Sequence, residues 1–194
     1  MSSNFMKFLK IAGLLLVLFV AFIFAASLIV DNEFEVERSI VIDKPIEEVF
    51  EYLRFLKNQD EYSVWGTLDP DMDRDYRGED GEVGFIYTWD GNEDVGRGEQ
   101  EIVGIIEGER IDYQLRFFEP FESESDAWLA TEMTSDQQTR VTWGFSGSMP
   151  RPMNLMLLFM DMEEMIGSDY DTGLENLKEI LESESHSDPY PDPS

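Results

Sequence analysis

A chain of 194 residues, 42% hydrophobic and 13% aromatic, is long enough for one substantial buried core, since domains commonly run about 100–200 residues. Its 42 Asp and Glu against 14 Lys and Arg give a formal net charge of -28, which excludes a nucleic-acid partner and docking by attraction to anionic lipid headgroups, because both need clustered Lys and Arg. The absence of cysteine excludes disulfides, thiolate zinc sites and a cysteine nucleophile.

Ile11 to Val30 (IAGLLLVLFVAFIFAASLIV) carries no charge, and at a rise of about 1.5 Å per residue it matches a hydrocarbon layer of about 30 Å. Lys7 and Lys10 precede it, and Asp31, Glu33, Glu35 and Glu37 follow it. The positive-inside rule therefore places residues 1–10 in the cytoplasm and the rest outside, as a single-pass protein of the cell membrane. A cleaved signal sequence is the rival reading, with Ala25, Ala26 and Ser27 near a processing site. The apolar run continues through Leu28, Ile29 and Val30, beyond the roughly 7–15 residues usual in a signal peptide, so the expectation is an uncleaved anchor. All 42 acids and 12 of the 14 bases follow residue 30, which leaves -30 there. These acids are spread along the chain, as in a solvated surface suited to salty surroundings.

Phe34 to Asp43 is rich in β-branched and aromatic residues and reads as a first strand. Asp43 is placed to cap a helix with Pro45 in its first turn, and Ile46, Val49, Phe50 and Leu53 give that helix one buried face, ending near Leu56. Asn58 to Gly66 reads as a second short helical turn carrying Tyr62 and Trp65. After an Asp- and Gly-rich strand and turn, β segments follow at Val83–Trp89, Gly96–Ile106, Arg110–Phe118, Ser123–Thr134 and Arg140–Ser148. Their short links imply an antiparallel meander. Alternation places Tyr87, Trp89, Tyr113 and Trp143 on inward parities, together with Val83 and Phe85. From Met153 to Glu182, apolar residues at spacings of three and four predict one long helix with Gly167 and Gly173 as weak points. The polar, proline-rich residues 184–194 are expected to be a disordered acidic tail.

Little catalytic chemistry is compelled. Asp69, Asp71, Asp73 and Asp75 alternate as in a calcium loop, but Tyr76 stands where an EF-hand needs glycine. The single histidine, His186, falls in the tail, which removes a histidine metal site and a Ser-His-Asp triad. No metal and no cofactor is expected. Pairs such as Glu99 and Glu101 carry almost no information in so acidic a chain. Arg97 and Arg116 are rarer, and each is a candidate to face an anionic group or to pair with surface acids.

The order of elements, together with IVIDKPIEEVF at 40–50, GEVGFIYTWDG at 81–91, VGRGEQEI at 95–102, TRVTWGFSG at 139–147 and MNLMLLFMDM at 153–162, resembles the START-like (SRPBCC) superfamily of polyketide cyclases, lipid-transfer domains and plant allergen-type proteins. The resemblance covers residues 34–183. It implies an α+β helix-grip fold, a curved antiparallel sheet wrapped around a long C-terminal helix, here preceded by a transmembrane helix. It also implies a cavity between sheet and helix. Trp65, Tyr87, Trp89, Arg97, Tyr113, Arg116, Trp143, Met156 and Met160 are the candidate lining residues, although aromatic and Met residues suit ordinary core packing equally well. The expected role is binding of a hydrophobic or amphipathic small molecule such as a lipid, isoprenoid or polyketide-like compound. A cyclase or aromatase-like enzyme and an interaction module without ligand are the alternatives.

Overall fold

In the computed structural model, which describes residues 3–183, the first element is helix α1 (Ser3–Ser27). Within it, Phe5–Ser27 is long and apolar enough to cross a membrane, with a mean hydropathy of 2.7 and no residue of that span's most apolar window buried. Such a helix is a candidate span or a signal sequence. It stops three residues before the expected end at Val30. The expected tail at 184–194 and His186 lie outside the described residues.

The chain divides into two compact units. One comprises the residues up to Phe34 with Ser148–Asp161. Here a 3-10 helix (Met153–Leu158) follows two prolines, and its buried Asn154 donates its amide to the carbonyls of Ser27 and Val30, both at 2.9 Å. Arg151 Nε also donates to Ser27, at 2.9 Å. Helix ends leave their last carbonyls without intrahelical partners, and these two side chains supply partners at the end of α1.

The other unit, Glu35–Gly147 with Met162 onward, contains the sheet. Seven strands run in the order β1-β7-β6-β5-β4-β3-β2, so six form a meander and the first closes against the last. They are β1 (Glu33–Ile42), β2 (Asp73–Arg77), β3 (Ile86–Asp90), β4 (Arg97–Ile106), β5 (Arg110–Glu119), β6 (Ser123–Ser135) and β7 (Gln138–Ser148). Three short helices connect β1 to β2: α2 (Ile46–Arg54), α3 (Gln59–Tyr62) and α4 (Val64–Leu68). The last helix, α5 (Met162–Ser183), presents Leu174, Leu177 and Leu181 to a core shared with Ile42, Val49, Leu53, Ile111 and Val141. The expected α+β helix-grip architecture is present.

Four local expectations change. Pro45, not Asp43, stands at the start of α2, and the Asp43 carboxylate accepts instead from Gln138 Nε2 at 2.7 Å. Val83 is not inward: Gly84, at φ +93°, turns the chain, so Val83 is exposed while Phe85 is buried. The long helix expected from Met153 is two elements, the 3-10 helix and α5, separated at residues 159–161. Both are apolar at spacings of three and four, so periodicity cannot divide them; the division arises because they pack in different units. Finally, α5 runs unbroken through Gly167 and Gly173. These glycines admit neighbours: a Cβ at Gly167 would collide with the Arg38 guanidinium, and one at Gly173 would lie 2.9 Å from the Trp143 ring. Arg38 uses that space to reach the Glu163 carbonyl at 3.0 Å and the Asp171 carboxylate at 3.1 Å.

Candidate functional site

The strand registers build an aromatic wall. Tyr87 pairs with Gln100 and Gln100 with Leu115; one step along, Trp89 pairs with Gly98 and Gly98 with Phe117. Side chains two apart on a strand share a face, so these rows line one side of the sheet, continued by Ala127 opposite Phe145. Gly98 is required there, since a Cβ would strike the Trp89 indole and the Arg116 carbonyl. Trp89 meets Phe117 edge-on at 5.9 Å.

A cavity of about 290 Å³ lies between this wall, Ile166 and Tyr170 of α5, and the α3–α4 segment from Gln59 to Gly66. Its α5 side is an aromatic cluster. Trp143 stacks on Tyr170 at 4.4 Å and 12°, and Trp65 stands edge-on to both at 6.2 and 5.6 Å. Such pairs fix ring positions by their quadrupoles as well as by area.

The polar groups converge at one place. The Tyr87 hydroxyl donates to Asp60 Oδ1 at 3.2 Å, and Arg74 Nε lies 3.3 Å from Asp60 Oδ2. Arg74 is itself held by the carbonyls of Met72 and Gly66, at 3.1 and 3.2 Å. Burial pushes the Asp60 carboxyl above the usual carboxylate range, more than Arg74 and the hydrogen bonds pull it down. The Tyr87 phenol is raised by burial and then by the Asp60 charge, so it remains a donor at ordinary pH. Beside them Gln100 Nε2 donates to Gln59 Oε1 at 3.1 Å. A carboxyl, a phenol and two amides, with Ser63, in a mainly apolar lining can orient a hydroxyl, amine or carbonyl group of a ligand. Among the described residues no cluster of three or more His, Asp or Glu is arranged for a metal ion.

Of the residues singled out from sequence, Trp65, Tyr87, Trp89 and Trp143 meet on this cavity. The other five lie elsewhere. Tyr113 is packed in the core between Ile102 and Ala127, its hydroxyl buried without a partner among the described residues. Arg116 is on the opposite face of its strand from Leu115 and Phe117, with Glu99 and Glu101 each at 2.9 Å. Arg97 pairs with Glu119 at 3.1 Å at the strand's end. Met156 and Met160 belong to the other unit. Conversely, Asp60, Gln100 and Tyr170 were not singled out. Tyr170 carries a legible signal, since Ile166, Tyr170 and Leu174 follow one another at spacings of four. Asp60 carries none in a chain of 42 acids.

No curated protein matches the chain by sequence. Solved structures do match it in fold. A protein of Nitrosospira multiformis is similar at 22% identity and a TM-score of 0.56, over 78% of this chain and 99% of its own. Ginseng major latex-like protein 151 from Panax ginseng is similar at 12% identity and a TM-score of 0.55, over 78% and 99%. Norcoclaurine synthase from Thalictrum flavum, solved in complex with dopamine and hydroxybenzaldehyde, is similar at 5% identity and a TM-score of 0.58, over 81% and 91%. The family model described as polyketide cyclase / dehydrase and lipid transport matches residues 33–182. With sheet, helix, cavity and sequence in agreement over that range, the chain belongs to the polyketide cyclase/dehydrase and lipid transport family.

Proposed function

We propose that the protein is a membrane-anchored binding protein for a small hydrophobic molecule bearing a ring system and one polar end. The observation that carries this reading is the aromatic cavity of about 290 Å³ with Asp60 and Tyr87 bonded in its wall. That volume is at the small end of the range of about 300–1,000 Å³ usual for ligand sites, which favours a compact ring-bearing or isoprenoid-like molecule over a long acyl chain. Aromatic faces and the Met72 thioether supply apolar contact, and the Asp60 carboxyl with Gln100 supplies orientation. In this reading α1 is retained as a single-pass anchor with its N-terminus in the cytoplasm and the binding domain outside. Native mass spectrometry of the purified full chain, with titration by an apolar fluorescent probe, tests the binding reading. A chain that carries no ligand and binds no probe overturns it. Resistance of the protein to alkaline carbonate extraction, with an intact N-terminus by peptide mapping, tests the anchor.

A second reading is favoured by one observation, the carboxyl at Asp60 raised by burial and bonded to a phenol. Such a group serves as a general acid or base, and a cavity that holds a flexible carbonyl chain beside it promotes cyclisation by orientation. Asp60→Asn is then expected to abolish turnover of a poly-carbonyl substrate while leaving its binding intact. Turnover at the parent rate excludes a catalytic role for Asp60.

A further inference from the structure

Residues 148–160, SMPRPMNLMLLFM, contain no acid and a single base, Arg151, in a chain that elsewhere carries 42 acids. Instead of burying its apolar side chains, this segment displays them: Phe159 is 89% exposed, Leu158 61%, Met153 50% and Met156 47%. What it buries is polar. Asn154 is fully buried and is spent, with Arg151, on the carbonyls at the end of α1, while the Met149 amide donates to the Asn32 carbonyl at 2.8 Å. The inverted pattern, polar inside and apolar outside, is the reverse of what water selects. The hydrogen bonds fix the segment beside the end of α1, where Leu28 and Ile29 are also exposed, so the apolar surface of the helix continues into that of the segment.

We propose that Met149–Met160 is an interfacial membrane foot. Its exposed Met, Leu and Phe side chains enter the boundary between headgroups and acyl chains in the leaflet where α1 ends. The proposal rests on the reading of α1 as a membrane span. The 3-10 helix of six residues, at about 2 Å rise per residue, is far too short to span about 30 Å of hydrocarbon. Lying in the interface is the arrangement left to it, with its apolar side chains roughly 5–10 Å into the boundary. The Arg151 guanidinium, held on the Ser27 carbonyl at 2.9 Å, keeps its charge at the end of α1, at headgroup depth in this arrangement. The foot attracts lipid by apolar burial and so needs no attraction to headgroup charge, which the acidity of the rest of the chain would not supply. The foot and α1 together give two membrane contacts joined by hydrogen bonds, which restrict rotation of the anchor about its own axis.

The full chain, naturally free of cysteine, allows single-site labelling. Leu15→Cys, Phe159→Cys and Asp136→Cys are each labelled with an environment-sensitive fluorophore and reconstituted into phosphatidylcholine vesicles containing nitroxide lipids labelled near the headgroup or at mid-chain. The label at 15 is expected to be quenched most by the mid-chain nitroxide, that at 159 most by the nitroxide near the headgroup, and that at 136, in the exposed β6–β7 turn, by neither. Quenching at 15 with a label at 159 that behaves like the one at 136 overturns the foot and leaves the anchor standing. A label at 159 shielded from both lipid and aqueous quenchers also overturns it, by showing that protein covers the segment. Absence of lipid quenching at 15 overturns the anchor and the foot together.

Discussion

Tyr87 donates its hydroxyl to Asp60 across 3.2 Å, joining a residue of the third strand to one in a four-residue helix. The pair places the one carboxyl among the cavity-lining residues against the aromatic wall, with Arg74 on its other oxygen. Arg74 does not fully compensate for burial there, and the carboxyl is raised.

Stability should report this directly. A carboxyl whose folded pKa lies above its unfolded value stabilises the fold when protonated; that contribution is present below the unfolded pKa and is lost as pH rises through the folded one. Asp60→Asn keeps an acceptor for Tyr87 and removes the charge. Its melting temperature relative to the parent is expected to rise between about pH 4 and pH 7, as followed by circular dichroism. A relative melting temperature that falls over this range shows that the Arg74 pair, not burial, dominates.

Gly173 makes the opposite of a routine helix substitution. Gly to Ala inside a helix ordinarily gains about 1 kcal/mol, but here the new Cβ lies 2.9 Å from the Trp143 ring, and overpacking costs about 1–3 kcal/mol. Gly173→Ala is expected to lower stability by about 1 kcal/mol in urea unfolding. In a Trp143→Phe background the same change is expected to be neutral or stabilising, and additive effects would show that the contact carries no strain.

Ala127 is 4% exposed and lines the cavity. Ala127→Phe is expected to fill the space and weaken binding of an apolar probe at least about tenfold, equivalent to about 1.4 kcal/mol, while the circular dichroism spectrum is retained. Unchanged probe affinity would place the binding site elsewhere.

Arg116, bonded to Glu99 and Glu101 away from the cavity, should matter little to binding. Arg116→Ala is expected to cost about 0–1 kcal/mol of stability, as partly exposed ion pairs do, and less at about 1 M salt, where screening is stronger. A loss of affinity for an anionic probe would assign it a ligand role.

What the sequence determined on its own was set by periodicity and composition. The charge-free run before Val30, the alternation through Ile111, Tyr113 and Leu115, and the recurrence of Leu174, Leu177 and Leu181 are local patterns, so the apolar first helix, the antiparallel meander and the buried face of the last helix were legible, and the order of these elements carried the family resemblance that implied the helix-grip architecture. Tertiary structure alone decided the rest. Register across β3, β4 and β5 chose which inward residues face open space, and so put Tyr113 in the core and Phe117 on the cavity. The meeting of Asp60 with Tyr87, twenty-seven residues apart, has no local signature among so many acids. The separation of the Met153–Leu158 segment from α5 came from Asn154 reaching back 127 residues to Ser27, a contact that no spacing rule within the segment encodes.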